Sequence, residues 1–269
     1  MSKNAARAII LAAGFGSRLM PHTKDKPKCM VEIDGKTILE RQTEVFSHFG
    51  IKDIAIVSGH ASSAIPTESY SVFENQQYST TNMVASLMCA RDWLSSSDTD
   101  LIISYGDIVF NSRVFDGMMR AEDGDMYVVS DTRWLKYWEK RMEDPLMDAE
   151  TFRVNESGYV TELGKKPKSA SDIEGQYIGL QRWSGHRIND ILRFYDSMDR
   201  QARYDGQNFE NMYMTSFLQL LADNGFSMKA VPIENGWLEL DTDEDYNLYQ
   251  TMIKNNTMDT FYELNEFTK

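Results

Sequence analysis

Two spacings of apolar residues recur along the chain and predict alternating strands and helices. Arg7 to Ala12 is a short, almost continuous apolar run that leads into a glycine loop, which is typical of a buried parallel strand. Ile38 to Phe49 carries apolar residues at helical spacing and stops at Gly50. Asp53 to Ser58, rich in β-branched residues, then predicts a second strand. These segments together predict one β-α-β unit.

The same alternation continues through the rest of the chain. Thr80 to Asn82 can cap a helix that runs to about Leu94, and Leu101 to Tyr105 predicts a strand. Gly106 and Asp107 follow that strand, at the edge where ligands gather in open α/β sheets. Further strands are predicted at Thr151 to Val154, Tyr159 to Leu163, Tyr177 to Trp183, Met228 to Ile233 and Trp237 to Leu240, and helices at Ile188 to Met198, Met212 to Leu221 and after Asp241.

From about Asp131 the pattern loosens into an aromatic and charged stretch, Trp134 to Trp138. No internal repeat, proline-rich linker or low-complexity tract marks a boundary there. We therefore predict one continuous domain over residues 1–269, with a second sub-region that begins near residue 131.

Composition and charge restrict the class of protein. Hydrophobic residues make up 42% and charged residues 26% of the chain, as in ordinary globular proteins. The net charge of -13 argues against a broad nucleic-acid surface, which needs clustered lysine and arginine. No apolar stretch approaches the ~20 residues of a membrane span, and Cys29 and Cys89 lack disulfide or zinc spacing. We expect a cytoplasmic protein that binds neither nucleic acid nor membranes.

The glycine loop after the first strand is the strongest chemical signal. Small residues with Gly14 and Gly16 let backbone N–H groups approach a polyphosphate, and Arg18 adds a charged donor. Leu19 stands where a dinucleotide-binding loop needs its third glycine, and the segment does not match a Walker loop either. A tight turn beside a surface arginine is the structural alternative.

A local basic island follows this loop in an otherwise acidic protein. It consists of Lys24, Lys26 and Lys28, and Pro27 stiffens the approach to Lys28. Taken alone, such a run of lysines is usually a solvated surface.

These residues together resemble the signature of the sugar-phosphate and phosphocholine nucleotidyltransferases. The resemblance starts with Leu11 to Gly14, Arg18-Leu19, Pro21, Thr23 and Pro27-Lys28, and continues in Gly106-Asp107, Glu162 to Pro167, Tyr177 to Gly179 and Glu239 to Asp241. It implies an α/β, Rossmann-like nucleotidyltransferase fold of GT-A-like form, a mixed sheet flanked by helices with a small acceptor-binding sub-region. The nucleotide would occupy about residues 1–130 and the acceptor about 131–240, with a C-terminal helix and tail over 241–269.

The resemblance also implies a nucleotide site. Arg18 and Lys28 would lie on the triphosphate and stabilise negative charge at the α-phosphorus, because nucleotidyl transfer is catalysed mainly by positioning and electrostatics. Base identity should depend on backbone groups and on side chains such as Gln77. The residues expected to contact the nucleotide are Leu11, Ala12, Ala13, Gly14, Gly16, Ser17, Arg18, Lys28, Gln77, Asn82, Ser86 and Gly106.

Two carboxylates are candidates for a magnesium site. Asp107 and Asp241 each follow a predicted strand, and Mg²⁺ prefers oxygen ligands. Asp243 is an alternative second ligand with an equally good role as a helix cap. The four histidines show no metal-ligand spacing, so a zinc hydrolase is not expected.

The acceptor-side sequence is more similar to phosphocholine and aminoalkylphosphonate cytidylyltransferases than to hexose-phosphate enzymes. Lys166 resembles the family lysine that contacts the acceptor phosphate and would share catalysis, and Lys165 could exchange roles with it. Aromatic rings could surround an ammonium with a carboxylate countercharge, whereas an arginine would suit an acceptor that carries a carboxylate. The candidates are Trp134, Arg153, Lys166, Tyr177, Trp237 and Glu239, with Asp131 and Glu150 as alternative countercharges.

We therefore expect transfer of CMP from CTP to the phosphate or phosphonate of a small metabolite of the phosphocholine or 2-aminoethylphosphonate type, with release of pyrophosphate. A sugar-1-phosphate nucleotidyltransferase is the main alternative. Asp241-Thr242-Asp243 also matches the Asp-x-Asp of a nucleotide-sugar glycosyltransferase, and a non-catalytic regulatory subunit is a third reading. The sequence leaves a homo-oligomer open.

Overall fold

A seven-stranded mixed sheet forms the centre of the protein, whose computed structural model describes residues 6–267. The order of its strands is β12-β8-β11-β6-β1-β4-β5, and shorter strands form two-stranded ribbons. The strands within residues 6–267 are β1 (Ala6–Ala12), β2 (Glu32–Ile33), β3 (Lys36–Thr37), β4 (Ile54–Ser58), β5 (Ser71–Glu74), β6 (Asp100–Tyr105), β7 (Ile108–Phe110), β8 (Met126–Asp131), β9 (Phe152–Val154), β10 (Val160–Leu163), β11 (Gln176–Trp183), β12 (Met228–Ile233) and β13 (Trp237–Glu239).

The direction of the strands confirms the mixed α/β class. β1 pairs in parallel with β4 and β6, and β12 pairs in parallel with β8. β11 is antiparallel to both of its neighbours, β6 and β8. Strands from both predicted sub-regions therefore share one sheet, while the division near residue 131 stays a prediction.

Helices cover both faces of the sheet. Within residues 6–267 they are α1 (Ile38–His48), α2 (Met83–Met88), α3 (Arg91–Ser95), α4 (Ser112–Arg120), α5 (Trp134–Arg141), α6 (Ile188–Ser197), α7 (Met214–Asp223) and α8 (Asp243–Lys254). α1, α4, α5 and α8 contribute buried residues to the core on one face, and α2, α3, α6 and α7 to the core on the other. None of the helices in this part of the chain is long and apolar enough to cross a membrane.

The continuous apolar run of β1 is explained by these two cores. Ala8 and Ile10 belong to the core on one face, and Ile9 and Leu11 to the core on the other. Successive side chains of a strand point to opposite faces, so a strand covered on both faces must be apolar throughout. Full burial of each isoleucine or leucine contributes about 1.5–3 kcal/mol.

The predicted helix from Asn82 to about Leu94 is wrong in one respect, because it is broken. Asn82 does cap α2, accepting a hydrogen bond from the backbone N–H of Met83, but the chain leaves helical geometry at Ala90 before α3 begins. α3 then presents the carbonyls of Trp93 and Leu94 to the buried guanidinium of Arg7, which donates to both. These carbonyls belong to the last turn of α3, so the buried charge of Arg7 satisfies the end of this short helix.

The structure adds elements that the sequence pattern does not predict. The aromatic stretch after Asp131 is an ordered helix, α5, and β5, α4 and β8 are absent from the predicted set. The predicted strands and the predicted helices other than the broken one agree with the structure to within about two residues at their ends.

A short antiparallel ribbon brings together two distant parts of the chain. β13 pairs with β7, with Glu239 opposite Ile108, and the backbone N–H of Leu240 donates to the carbonyl of Asp107 at 2.8 Å. Asp107 and Asp241 therefore lie beside each other although 134 positions separate them in sequence.

Arg141 of α5 holds this ribbon in place through buried ion pairs. Its guanidinium donates to Asp245 at 2.8 Å and to Glu239 at 2.6 Å, and only 2% of its side chain is exposed. Asp245 in turn accepts from the backbone N–H groups of Asp241 and Thr242. The buried arginine thus ties α5 to β13 and to the first turn of α8.

We predict that Arg141→Met lowers the free energy of unfolding by about 3–5 kcal/mol, because it leaves buried carboxylates without their cation. Arg193→Met is the matched control, since Arg193 is 71% exposed and pairs only with Asp190 on α6. Its effect should stay within about 1 kcal/mol. Urea unfolding midpoints measure both, and similar losses in the two variants would contradict the structural role given to Arg141.

Candidate active site

A cleft of about 320 Å³ opens at the carboxyl ends of β1 and β6, where the sequence predicts the nucleotide. All the residues predicted to contact the nucleotide line this cleft except Gln77. They are Leu11, Ala12, Ala13, Gly14, Gly16, Ser17, Arg18, Lys28, Asn82, Ser86 and Gly106.

Two glycines allow the walls of the cleft to approach each other. Gly16 has a φ of 64°, and a Cβ there would lie 2.9 Å from Cγ of Lys28. Gly106 donates its N–H to the carbonyl of Leu11 at 2.8 Å, and a Cβ at this position would lie 2.8 Å from the same oxygen. Larger residues would therefore displace either the glycine loop or the end of β6.

Four charged side chains meet at one end of the cleft. The ammonium of Lys28 donates to Asp107 at 3.0 Å and to Asp241 at 2.5 Å. Arg18 donates to the other oxygen of Asp241 at 2.6 Å. Lys28 is 17% exposed and Arg18 is 66% exposed, so Lys28 forms the floor of this charged end and Arg18 its mouth.

The surroundings of Lys28 keep it charged. Burial alone would lower the pKa of its ammonium, but the adjacent carboxylates of Asp107 and Asp241 outweigh burial and raise it above its ordinary value. A permanent positive charge at the floor of the cleft is what binding of a polyphosphate requires.

The same end of the cleft suits a hard divalent cation. The second oxygen of Asp107, Oδ1, is buried and accepts no hydrogen bond, whereas Oδ2 is engaged by Lys28. No group of three or more histidine, cysteine, aspartate or glutamate residues within residues 6–267 forms a complete protein cage. Two carboxylates with a free oxygen fit Mg²⁺, which keeps waters and takes substrate phosphates as further ligands.

Neutral residues line the opposite end of the cleft. They include Tyr78, Thr81 and Met83, none of which the sequence predicts, beside Asn82 and Ser86. These residues come from the turn before α2 and from its first turns.

Gln77, predicted to contact the base, does not line the cleft. The hydroxyl of Thr81 donates to its backbone carbonyl at 2.9 Å. Thr81, four residues later in the same segment, lines the cleft instead of Gln77.

A second cavity of about 200 Å³ adjoins the first, and Asn82 and Met83 line both. Its polar lining is acidic, with Asp148, Glu150 and Glu239, and contains no lysine, arginine or histidine. The other residues that line it are Tyr105, Trp138, Gln176, Tyr177, Ile178, Gly179, Tyr213, Met214, Thr215 and Trp237.

The two glutamates of this cavity lie in an environment that disfavours their charge. Burial raises the pKa of Glu150 to about 7, opposed by a hydrogen bond from Thr215. Burial also raises the pKa of Glu239, although Arg141 opposes it. Glu150 forms no ion pair with any residue in 6–267. A cationic ligand could therefore pair with it without displacing a protein side chain.

The predicted acceptor residues fall into two groups. Tyr177, Trp237 and Glu239 line the second cavity. Trp134, Arg153 and Lys166 line neither cavity.

Trp134, Arg153 and Lys166 make contacts within the protein. Trp134 is buried and its indole N–H donates to the carbonyl of Ile173 at 3.3 Å. Arg153 pairs with Asp172 at 2.6 Å. The ammonium of Lys166 donates to the carbonyl of Met147 at 2.7 Å. A role for any of them in acceptor binding stays a prediction.

The aromatic rings of the second cavity are fixed at their polar edges. Trp237 donates to the buried carboxylate of Asp131 at 2.8 Å, and Trp138 donates to Asp148 at 3.2 Å. Asp131, one of the alternative countercharges, thus holds a ring and does not line the cavity. Gln176 and Thr215 were not among the predicted site residues, since they come from separate elements and share no motif.

The sequence comparison agrees with this geometry. Residues 8–156 match the family described as the MobA-like NTP transferase domain. The chain belongs to this family. It is accordingly a nucleotidyltransferase, and the cleft over its glycine loop is the candidate site of nucleotide binding.

Individual relatives of this nucleotidyltransferase cover nearly its whole length. A CTP:phosphoglutamine cytidylyltransferase from Campylobacter jejuni is 44% identical over 242 residues, 87% of this chain and 95% of that protein. A choline-phosphate cytidylyltransferase from Streptococcus pneumoniae is 23% identical over 93% of this chain and 99% of that protein.

A solved structure described as the inositol-1-phosphate CTP transferase from T. maritima has the same fold. It superposes with a TM-score of 0.73 at 18% identity, covering 97% of this chain and 100% of that one. At this identity the likeness concerns the fold of the nucleotidyltransferase, including its mixed sheet.

We predict that Glu150 makes stability depend on pH. Its pKa is raised from 4.5 to about 7 in the folded protein, so the folded state holds a proton that the unfolded chain releases over that range. The contribution of Glu150 to stability is therefore lost as pH rises from about 5 to 8. Glu150→Gln carries no charge at this position. As pH rises from about 5 to 8, its free energy of unfolding should therefore increase by about 1–3 kcal/mol relative to that of the wild type.

Urea unfolding at pH 5 and pH 8 measures this difference. Glu156→Gln is the control, because Glu156 is an exposed glutamate in the turn between β9 and β10. If Glu150→Gln and the wild type changed in parallel with pH, the raised pKa of Glu150 would be refuted.

Proposed function

We propose that this nucleotidyltransferase is a cytidylyltransferase that transfers CMP from CTP to the phosphate of a small, ammonium-bearing metabolite and releases pyrophosphate. Phosphoglutamine is the first acceptor that we propose. The observation that carries the proposal is the acidic second cavity, which joins the nucleotide cleft at Asn82 and Met83 and has no basic side chain in its lining.

The relatives support CTP as the nucleotide. Both of the relatives described above are named as cytidylyltransferases, and one is 44% identical over 87% of this chain.

The charged end of the cleft then has a defined task. An oxygen of the acceptor phosphate forms a bond to the α-phosphorus of CTP, and the bond from this phosphorus to the bridging oxygen of pyrophosphate breaks. Lys28 and Arg18 stabilise the negative charge that spreads over the transferred group and the leaving pyrophosphate. No general base is needed, because the acceptor phosphate is ionised at neutral pH.

We also propose that Asp107 and Asp241 hold Mg²⁺, with the free Oδ1 of Asp107 as one ligand. When bound, the ion would supply Lewis-acid stabilisation of phosphate charge. Asp243 suits this role less well, because it begins α8, pairs with His22 at 3.0 Å and does not line the cleft. Asp107 and Asp241 themselves keep Lys28 in position at the floor of the cleft.

The acidic cavity supports an acceptor with a positive charge at the end opposite its phosphate. The phosphate lies toward Arg18 and Lys28, and the carboxyl-lined space includes Glu239, two residues before Asp241 of the charged end, so the remainder of the acceptor can extend into that space without crossing the base. An ammonium there would pair with Glu150, favour its ionised form and offset the cost of its burial. The α-ammonium of phosphoglutamine meets this requirement, as do the cationic groups of phosphocholine and 2-aminoethylphosphonate. The α-carboxylate of phosphoglutamine has no basic partner in this lining and must point out of the cavity, so the choice of phosphoglutamine rests on the 44% identical relative.

We predict that Lys28→Ala and Asp107→Asn each lower kcat by at least about 100-fold, because the first removes a cation that stabilises the reacting phosphate and the second removes a carboxylate proposed to hold Mg²⁺. Lys24→Ala is the control, since Lys24 belongs to the same basic segment but is exposed and does not line the cleft. Pyrophosphate release with CTP, Mg²⁺ and acceptor measures all three. Turnover near that of the wild type in both Lys28→Ala and Asp107→Asn would refute the proposed mechanism.

A second prediction concerns the acceptor. Pyrophosphate release should be fastest with phosphoglutamine, slower with phosphocholine and 2-aminoethylphosphonate, and slowest with hexose 1-phosphates. Glu150→Gln should raise the KM for the ammonium-bearing acceptor about tenfold or more and leave the KM for CTP nearly unchanged. Glu156→Gln should change neither constant. A preference for hexose 1-phosphates that Glu150→Gln does not alter would support the sugar-1-phosphate alternative.

A further inference from the structure

A buried asparagine lies behind the neutral end of the nucleotide cleft. Asn75 is 4% exposed and does not line the cleft itself. Its amide nitrogen donates to the hydroxyls of Thr81 and Ser86, at 2.9 Å in both cases. Both of these hydroxyl-bearing residues line the cleft.

The orientation of this amide is fixed by the backbone. The N–H of Gln77 donates to the side-chain oxygen of Asn75 at 2.9 Å. A backbone N–H can only donate, so the oxygen of the amide faces Gln77 and its NH₂ group faces the two hydroxyls. Each of the two amide hydrogens then has its own acceptor.

The hydrogens of the two hydroxyls are both engaged by backbone carbonyls. Thr81 donates its hydroxyl hydrogen to the carbonyl of Gln77 at 2.9 Å, and Ser86 donates to the carbonyl of Asn82 at 3.3 Å. A hydroxyl has one hydrogen and two lone pairs. With one lone pair facing Asn75 and the hydrogen on a carbonyl, the lone pair that remains on each oxygen is available only to a donor.

The base must lie at this end of the cleft. Lys28 and Arg18 occupy the charged end and attract the triphosphate, and the other end is neutral. Cytosine and uracil differ at ring position 4, where cytosine carries an amino donor and uracil a carbonyl acceptor. Two hydroxyls that present only lone pairs therefore match cytosine and repel uracil.

We propose that Asn75 is a positioning residue that makes the protein select CTP over UTP, by holding the hydroxyls of Thr81 and Ser86 as acceptors for the 4-amino group of the base. This inference rests on the proposed function, because it assumes that CTP is the nucleotide. Asn75 acts only through these hydroxyls, since its own donors and acceptor are all engaged inside the protein.

The test is the ratio of kcat/KM for CTP to kcat/KM for UTP. Asn75→Leu keeps the approximate volume but removes the amide, so the two hydroxyls can turn and offer a hydrogen to the base. The ratio should fall by about 10- to 100-fold. Thr81→Val removes one of the two acceptor hydroxyls at a position that is less buried than Asn75. The ratio should fall in this variant as well.

Asn111→Leu is the matched control for loss of a buried asparagine. Asn111 is 3% exposed, and its amide pairs with the backbone of Glu263, away from the cleft. Asn111→Leu should leave the ratio unchanged whatever its effect on stability. A purely structural role for Asn75 would lower both kcat/KM values together and leave the ratio at the wild-type level, which would overturn the inference.

A third nucleotide tests the chemistry directly. The triphosphate of 2-pyrimidinone riboside has a hydrogen where CTP has its amino group. The wild type should use it at least about tenfold less well than CTP, and Asn75→Leu should reduce this difference. Failure of the proposed function gives another result, because the wild type would then prefer a nucleotide other than CTP before any substitution is made.

Discussion

The bridge from Lys28 to Asp107 and Asp241 is the interaction on which the site depends. It joins the basic segment that follows the glycine loop, the end of β6 and the end of β13, three parts of the chain that no local motif connects. A buried ion pair adds little net stability, because the cost of desolvation cancels most of the attraction. Its role here is positional, since it holds a permanently charged ammonium at hydrogen-bonding distance from two carboxylates.

Charge balance explains how an acidic protein can bind two anions. The chain carries a net charge of -13. At the charged end of the cleft, Lys28 and Arg18 face two aspartates, so the charges of these four side chains sum to about zero. The neighbouring cavity has carboxyls without basic partners in its lining. An acceptor with a phosphate at one end and an ammonium at the other would be oriented by this gradient alone, with its phosphate toward the reacting end.

The sequence predicted the residues that act through a linear motif and missed those that act through the fold. Arg18, Lys28 and Gly106 were identified because short loops after strands carry them in a recognisable pattern. The second cavity is assembled from α5, β11, α7 and β13 and from the segment before β9, so the sequence indicated only some of its members, Tyr177, Trp237 and Glu239. Lys166 illustrates the converse, since its motif resembles the family signature whereas its ammonium contacts the carbonyl of Met147.

Recognition by hydrogen bonds depends on which atoms donate and which accept. The identity of the residues that line a cleft does not by itself determine this. A hydroxyl in the wall of a cleft can pair with either cytosine or uracil until its own hydrogen is engaged. The carbonyls of Gln77 and Asn82 engage those hydrogens here, and Asn75 fixes the oxygens that carry them. Choice of base can therefore be set by residues that the nucleotide never touches, just as Arg141 fixes the β13 segment that leads to Asp241 from outside the cleft.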